Sequence, residues 1–199
     1  MSRVFGYGSL VNGRTHGYTG LRTARLSGYR RIWRQSTLRE VAFLSIVEAD
    51  FGAIEGLLAD VPAAEWDALD HRERAYDKRD VAGQCTHDGP EGPVIVYAVK
   101  DAVVAPPDTT HPILLSYLDV VAEGYLDHFG QPGLARFVES TDGWNAPILD
   151  DRAAPLYGRH TAPDAAVTGI VDDMLRDIGS QMLEGTPERL DALRSNPDI

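Results

Sequence analysis

Two short stretches of this sequence combine residue types that are able to carry out chemistry. In the first, residues 4–10, an apolar run ends in two glycines that bracket Tyr7 and are followed by Ser9 and Leu10. Glycine adopts turn conformations and lets a ligand approach the backbone, and consecutive N–H groups in such a turn form a concave anion site. Gly8, Ser9 and Leu10 are therefore candidates for binding a carboxylate or a developing oxyanion. Taken alone, the pattern favours the alternative, an ordinary turn that ends a strand.

The second stretch, residues 69–76, reads Leu-Asp-His-Arg-Glu-Arg-Ala-Tyr. Its Glu73 falls one helical turn after Leu69, near the inner face of a predicted helix-to-strand junction. A carboxyl group held among apolar groups has a raised pKa and can act as a general base or acid near neutral pH. The alternative is a solvated charge run in which Arg72 and Arg74 pair with neighbouring carboxylates, which is the usual role of such runs.

Other residues with reactive side chains form weaker patterns. The six histidines include no pair at the spacing HxxxH, so we expect no metal site. Cys85 and His87 form a conceivable nucleophile pair, but two residues separated by one in a loop do not have reactive geometry by default. Residues 150–160 contain a polar cluster that predicts a solvated loop anchored by Tyr157.

The elements that position these residues follow from hydrophobic periodicity. A short helix is predicted after Pro62, with Ala63, Trp66 and Leu69 on one face. Residues 50–52 resemble a turn, which predicts a hairpin between the strands on either side. Besides the opening strand, strands are predicted at residues 24–33, 41–49, 53–59, 74–82 and 94–99.

The second half of the chain is predicted to be mainly helical. Thr110 is a plausible N-cap for a helix over residues 112–129, and Gly130 stands at its end. A shorter helix is expected at 132–139, an ordered surface loop at 141–163, and an amphipathic helix at 167–178. Strands early and helices late predict an α+β fold, a mixed barrel of roughly six short strands flanked by helices.

Composition limits the classes of partner. The 199 residues carry a formal net charge of −11, which disfavours nucleic acid and anionic membranes as partners, whereas a local anion site or an arginine would still permit a small anionic substrate. A single cysteine excludes an intrachain disulfide. Together with the lack of an apolar leader or a membrane-spanning run, it predicts a cytoplasmic protein. The amphipathic C-terminal helix is suited equally to covering the sheet or to forming a homodimer.

Four segments together resemble one known family. Residues 5–10 resemble the Tyr-Gly-Ser signature of the gamma-glutamylcyclotransferase-like proteins, and residues 69–76 resemble their Leu-Asp-x-x-Glu junction. Residues 54–61 and 94–97 resemble two further strands of that family, in the same order and spacing. The resemblance covers about residues 4–129. Near Arg39 the sequence departs from the Ser-x-x-x-Arg-Gly element of the glutathione-acting branch, which leaves a dipeptide, an amine or glutathione open as substrate.

The resemblance implies a fold, a reaction and roles for particular residues. It implies a barrel domain at residues 1–140, with residues 141–199 packed on it rather than forming a separate domain. It implies release of 5-oxoproline from a γ-glutamyl compound without metal or cofactor, with Glu73 as the catalytic base and then acid. The substrate would be bound by Tyr7, Gly8, Ser9, Leu10 and Tyr97. A non-catalytic binding module of the same fold and, less favoured, a Cys85-dependent acyl transferase are the alternatives.

Overall fold

A computed structural model describes residues 2–36, 39–74, 76–99, 104–105 and 111–194 of the chain. Within these residues eleven strands join in one mixed sheet: β1 (Arg3–Gly6), β2 (Thr19–Ser36), β3 (Arg39–Asp60), β4 (Tyr76–Asp80), β5 (Cys85–Thr86), β6 (Val94–Val99), β7 (Val104–Ala105), β8 (Ile113–Leu114), β9 (Thr141–Asp142), β10 (Ile148–Asp150) and β11 (Met182–Glu184). The α-helices are α1 (Trp66–Arg72), α2 (Leu115–Glu139), α3 (Ala165–Asp177) and α4 (Pro187–Arg194). The α+β class is confirmed, with more strands than the six expected.

The first strand lies in the middle of the sheet. β1 pairs antiparallel with β3 and parallel with β6, and its Val4 and Phe5 are almost completely buried. A strand that is covered on both faces reads as a continuous apolar run, as this one does. Because Val4 is level with Ile95 in the parallel register, the end of β1 lies beside Tyr97 on β6. The topology thus brings two predicted site segments together.

The predicted hairpin at residues 50–52 is wrong. Residues 41–49 and 53–59 belong to one continuous strand, β3, and both halves pair with β2. The register changes between Ser27 opposite Ala53 and Tyr29 opposite Glu48, so residues 50–52 form a bulge in which Phe51 is fully exposed. Residue types that favour turns also favour bulges. Here β2 is long enough to pair with both halves of β3, so residues 50–52 form a bulge rather than a turn.

The helices begin and end largely where local signals indicate. Gly130 has a φ of 65° and interrupts α2, which confirms both the predicted stop and the second helix after it. α2 itself begins at Leu115, because Ile113 and Leu114 form β8, which pairs with β3 and β10. The proposed N-cap Thr110 lies outside the described residues.

The prediction of a surface loop at residues 141–163 is wrong. This segment contributes β9 and β10, and Ile148 and Leu149 are completely buried. Asp151 is also fully buried, and its carboxylate accepts hydrogen bonds from the backbone N–H groups of Ser116 at 2.7 Å and Leu156 at 2.9 Å. Aspartate usually indicates exposure, but one that receives backbone donors can be buried.

The last elements complete the core. Asp164 caps α3 by accepting from the N–H groups of Ala166 and Val167. Val171 and Leu175 of the predicted amphipathic face are buried against the sheet and α2. No helix in the described ranges is long and apolar enough to cross a membrane.

Candidate active site

A cavity of about 430 Å³ opens between the end of β1, the end of α1, β3 and the start of α2. Its lining comes from widely separated parts of the chain, from residue 5 to residue 159. The residues predicted from the sequence all line this one cavity: Tyr7, Gly8, Ser9, Leu10, Glu73 and Tyr97. The fold therefore brings together the two stretches that the sequence singled out separately.

A single 3₁₀ turn, Ser9–Val11, follows β1 directly. Its first backbone bond runs from the N–H of Val11 to the carbonyl of Gly8 at 2.9 Å. Gly8 has a φ of −121°, so it is not required for a left-handed conformation. Its glycine identity instead provides space, because a Cβ built on Gly8 would lie 2.7 Å from the hydroxyl oxygen of Tyr117. The turn is thus closely covered by a side chain from α2.

Tyr117 is a site residue that sequence reasoning placed only within the helix predicted over residues 112–129. Its hydroxyl oxygen lies beside the turn and interacts electrostatically with the Ser9 backbone. Its ring packs edge-on against Trp33 and Tyr157, with centroid distances of 5.9 and 5.0 Å. Burial raises the pKa of Tyr117 well above its usual value, so the phenol keeps its proton at neutral pH. It therefore supplies an O–H group at the predicted anion site.

Glu73 occupies the C-cap of α1, where the backbone holds it on both sides. Its N–H donates to the carbonyl of Leu69 at 2.9 Å, and its own carbonyl accepts from the N–H of Tyr76 at 2.8 Å. The Glu73 side chain is 15% exposed, and its carboxylate lies 3.0 Å from Nε of Arg72, itself 13% exposed. The charge run expected to be solvated therefore does contain an ion pair, but a largely buried one.

Arg72 joins the two predicted halves of the site. Besides pairing with Glu73, its guanidinium donates to the hydroxyl of Ser9 at 3.2 Å. Sequence reasoning treated Arg72 only as a surface charge. The role of Arg72 at the site is indicated by its position directly before Glu73, at the end of a helix whose Leu69 is buried.

The two tyrosines predicted to bind substrate belong to one hydrogen-bonded chain. Tyr7 donates its hydroxyl to the backbone carbonyl of Tyr97 at 2.7 Å. Tyr97 in turn donates its hydroxyl to the carboxylate of Asp70, which also pairs with Lys78 at 3.0 Å. Burial is the main cause of a raised pKa at Tyr7 and at Tyr97, and the negative charge of Glu73 adds to both shifts. Glu73 therefore lies within electrostatic reach of both phenols.

A buried arginine supports the turn from beneath. Arg31 on β2 is completely buried, and its Nε donates to the carbonyl of Tyr7 at 3.2 Å. It also donates to the hydroxyl of Tyr125 and to the carbonyl of Glu55, and its guanidinium lies 5.0 Å from the centre of the Tyr125 ring. Burial lowers the pKa of Arg31. Strand alternation places Arg31 on the same face as the buried Tyr29 and Trp33, and this is the local signal that could have indicated its burial.

Hydrogen bonds also connect the residues that follow the Ser9–Val11 turn to α2. Asn12 donates its side-chain amide to Glu123 at 2.8 Å and to the carbonyl of Val120 at 3.0 Å. Arg14 donates to the other Glu123 oxygen at 2.5 Å. Since Asn12 and Glu123 are both buried, these bonds fix the turn relative to the helix that carries Tyr117.

Of the remaining sequence candidates, Cys85 and Arg152 lie outside the cavity and Arg159 lies at it. Cys85 does not line the cavity, and burial raises the pKa of its thiol to about 11, which leaves little reactive thiolate. In the described ranges, no three His, Cys, Asp or Glu side chains are grouped to hold a metal ion. Arg152 pairs with Asp119 and Asp172 away from the cavity, whereas Arg159 lines it.

Comparison with family models identifies one family. The sequence model of the family described as gamma-glutamyl cyclotransferase, AIG2-like, matches residues 4–116, more than half of the chain. No curated protein sequence is significantly similar to this chain.

Solved structures share the fold at low sequence identity. A gamma-glutamyl cyclotransferase is similar with a TM-score of 0.55 and 13% identity, over 86% of this chain and 98% of that chain. An uncharacterized protein from Homo sapiens gives a TM-score of 0.55 and 13% identity, over 85% and 97%. YkqA from Bacillus subtilis is similar with a TM-score of 0.52 and 19% identity, over 71% of this chain and 55% of that chain. On the strength of the family match, this chain belongs to the family described as gamma-glutamyl cyclotransferase, AIG2-like.

Proposed function

We propose that the protein is a γ-glutamyl cyclotransferase, which releases 5-oxoproline and a free amine from a small γ-glutamyl compound. The observation that carries this proposal is that Glu73 and the turn at Gly8 and Ser9 line one cavity and are linked through Arg72. The size of the cavity, about 430 Å³, is in the usual range for small-molecule sites. Membership of the family supports the same reaction class.

Glu73 is proposed to move the proton. The substrate's α-amine is mostly protonated at neutral pH, with a reference pKa of about 8. Glu73 accepts a proton from it, and the amine nitrogen then attacks the γ-carbonyl carbon within the same molecule. A five-membered ring forms, the ring nitrogen releases its second proton to solvent water, and the bond from the γ-carbon to the leaving nitrogen breaks. Protonated Glu73 returns the proton to that nitrogen, so that one residue acts as base and then as acid.

The Ser9 turn and Tyr117 are proposed to hold the developing oxyanion. Because burial keeps the Tyr117 phenol protonated and its hydroxyl lies beside the turn, the phenol can donate its O–H to an acceptor in the cavity. A γ-carbonyl oxygen that becomes negative during attack is the acceptor that gains most from it. Because nucleophile and electrophile share one molecule, the cavity also accelerates the reaction by holding a conformer that cyclises.

The test is release of 5-oxoproline from a panel containing γ-glutamyl-alanine, other γ-glutamyl dipeptides, γ-glutamyl amines and glutathione. We expect turnover of at least one compound. Glu73→Gln should lower kcat by about 10²- to 10⁴-fold, the usual contribution of a general acid–base group. The matched control is Cys85→Ala, which changes a thiol outside the cavity and should retain activity.

Two results would contradict the proposal. Full activity in Glu73→Gln would remove the proposed base from the mechanism. No product from the whole panel, with a γ-glutamyl compound still bound, would favour the alternative function, a binding module of the same fold.

A further inference from the structure

Arg159 reaches the cavity from a part of the chain beyond the family match, which ends at residue 116. It lies on a tight turn closed by a bond from the N–H of His160 to the carbonyl of Tyr157 at 2.9 Å. The start of the turn is anchored, because the Tyr157 ring packs edge-on against Tyr117 and Leu156 is buried. Although Arg159 is itself exposed, the backbone that carries it is held in place.

Arg159 also lies within electrostatic reach of Tyr18, in the N-terminal part of the chain. Burial raises the pKa of Tyr18, and the positive charges of Arg72 and, more weakly, Arg159 oppose that shift. The negative charge of Glu73 also contributes to the raised pKa of Tyr18. The guanidinium of Arg159 is thus within electrostatic reach of residues at the site where the reaction is proposed to occur.

The charge balance of the cavity is opposite to that of the chain. The whole sequence has 30 acidic and 19 basic side chains, but the lining carries Arg72, Arg74 and Arg159 against the carboxylate of Glu73. Arg72 is engaged by Glu73 and Ser9, and Arg74 also has an interaction partner. Arg159, by contrast, makes no hydrogen bond or ion pair with the part of the chain that the structure describes. A γ-glutamyl group is itself neutral overall, since its α-ammonium and α-carboxylate cancel, so the cationic excess fits a substrate with one further negative charge.

We infer that Arg159 determines specificity by binding a carboxylate on the leaving group, so that γ-glutamyl amino acids and peptides are better substrates than γ-glutamyl derivatives of uncharged amines. This inference rests on the proposed function and narrows its substrate class. An arginine is suited to the task because its planar guanidinium donates two parallel hydrogen bonds to a carboxylate.

The experiment compares two substrates that differ in one group. In γ-glutamylethylamide a hydrogen replaces the carboxylate of γ-glutamyl-alanine, and both release 5-oxoproline. We expect the wild-type protein to show a kcat/KM about fivefold higher for γ-glutamyl-alanine, since a charge-assisted bond at a partly exposed mouth contributes about 1 kcal/mol. Arg159→Gln should remove that preference and Arg159→Lys should retain part of it. Higher salt should weaken it in the wild type.

Arg176→Gln is the matched control, because it removes the same charge from an exposed position on α3 and should keep the preference. An equal loss for both substrates in Arg159→Gln would overturn the inference and assign Arg159 to the γ-glutamyl group that they share. An unchanged preference would overturn it as well. Turnover of neither substrate by the wild type would count against the proposed function itself, and against the inference with it.

Discussion

At the scale of single residues, the candidate site depends on close approach rather than on unusual backbone conformation. Neither Gly6 nor Gly8 has a positive φ. A Cβ on Gly6 would lie 2.6 Å from that of Leu10, and one on Gly8 would lie 2.7 Å from the Tyr117 hydroxyl. The glycines therefore let the turn fold back on itself and let a phenol approach its backbone.

This contact makes a prediction about Gly8 and Tyr117. Gly8→Ala should lower kcat about 10- to 100-fold, because the new methyl group displaces a packed phenol from the site of reaction. In the background of Tyr117→Phe, which lacks the clashing oxygen, Gly8→Ala should cost little more. Steady-state 5-oxoproline kinetics on the four proteins measures this coupling. If the effects of the two substitutions on kcat are additive, the contact between residues 8 and 117 is not the cause of the loss in Gly8→Ala. Ser9→Ala, which removes only an acceptor for Arg72, should be milder than Gly8→Ala.

At the scale of elements, the loop between the turn and β2 depends on a neutral histidine. His16 Nδ1 accepts from the N–H of Tyr18 at 3.2 Å, and Nε2 is 3.1 Å from the carbonyl of Leu10. A neutral ring with its proton on Nε2 makes both bonds. Burial is the main reason why the pKa of His16 is lowered from 6.5. Protonation of Nδ1 would remove the acceptor for Tyr18 and loosen the loop beside the cavity.

The sign of the resulting pH dependence follows from linkage. Because the folded-state pKa is lower than the unfolded one, the contribution of His16 to stability is fully present above about pH 6.5 and is lost as the pH falls through the lowered folded value. Urea unfolding at pH 7 and pH 5 should therefore show a larger loss in the wild type than in His16→Gln. His128→Gln, a change at an exposed position on α2, is the control. Equal losses of unfolding free energy between pH 7 and pH 5 in the wild type and in His16→Gln would contradict the role assigned to His16.

At the scale of the whole molecule, the C-terminal segment and the strands share one core. Ile148, Val171 and Leu175 belong to the same apolar cluster as Phe5 and Leu44. Asp151 accepts from the backbone N–H of Ser116 in the first turn of α2, the helix that brings Tyr117 over the site. We therefore propose that residues 141–194 unfold together with the strands and do not form a separate domain.

This proposal makes a prediction about α3. Leu175→Ala should lower the free energy of unfolding by about 2–5 kcal/mol, as expected for a buried leucine, and the protein should keep a single unfolding transition. Urea unfolding followed by circular dichroism and by tryptophan fluorescence measures both. Arg176→Ala, at the next and exposed position of the helix, should change stability little. A separate early transition in Leu175→Ala would instead indicate an independent C-terminal unit.

The sequence by itself determined the features that depend on local chemistry. The apolar run at Val4 and Phe5, the stop at Gly130 and the glutamate at the end of the short helix were all visible, because backbone preference and periodicity act over a few residues. With the family resemblance, these were enough to select the fold class and to predict the cavity-lining residues Glu73, Tyr97 and those of the turn.

Tertiary structure alone decided which distant groups meet. Residues 50–52 form a bulge and not a turn because β2 is long enough to pair with both halves of β3. Residues 141–163 enter the core because backbone donors from α2 and the following loop satisfy buried Asp151. Tyr117 and Arg159 carry no local mark of their role, since packing across the molecule is what places one over Ser9 and the other at the cavity. Local preference sets the shape of each element, but burial and pairing depend on partners that lie outside that element in the sequence.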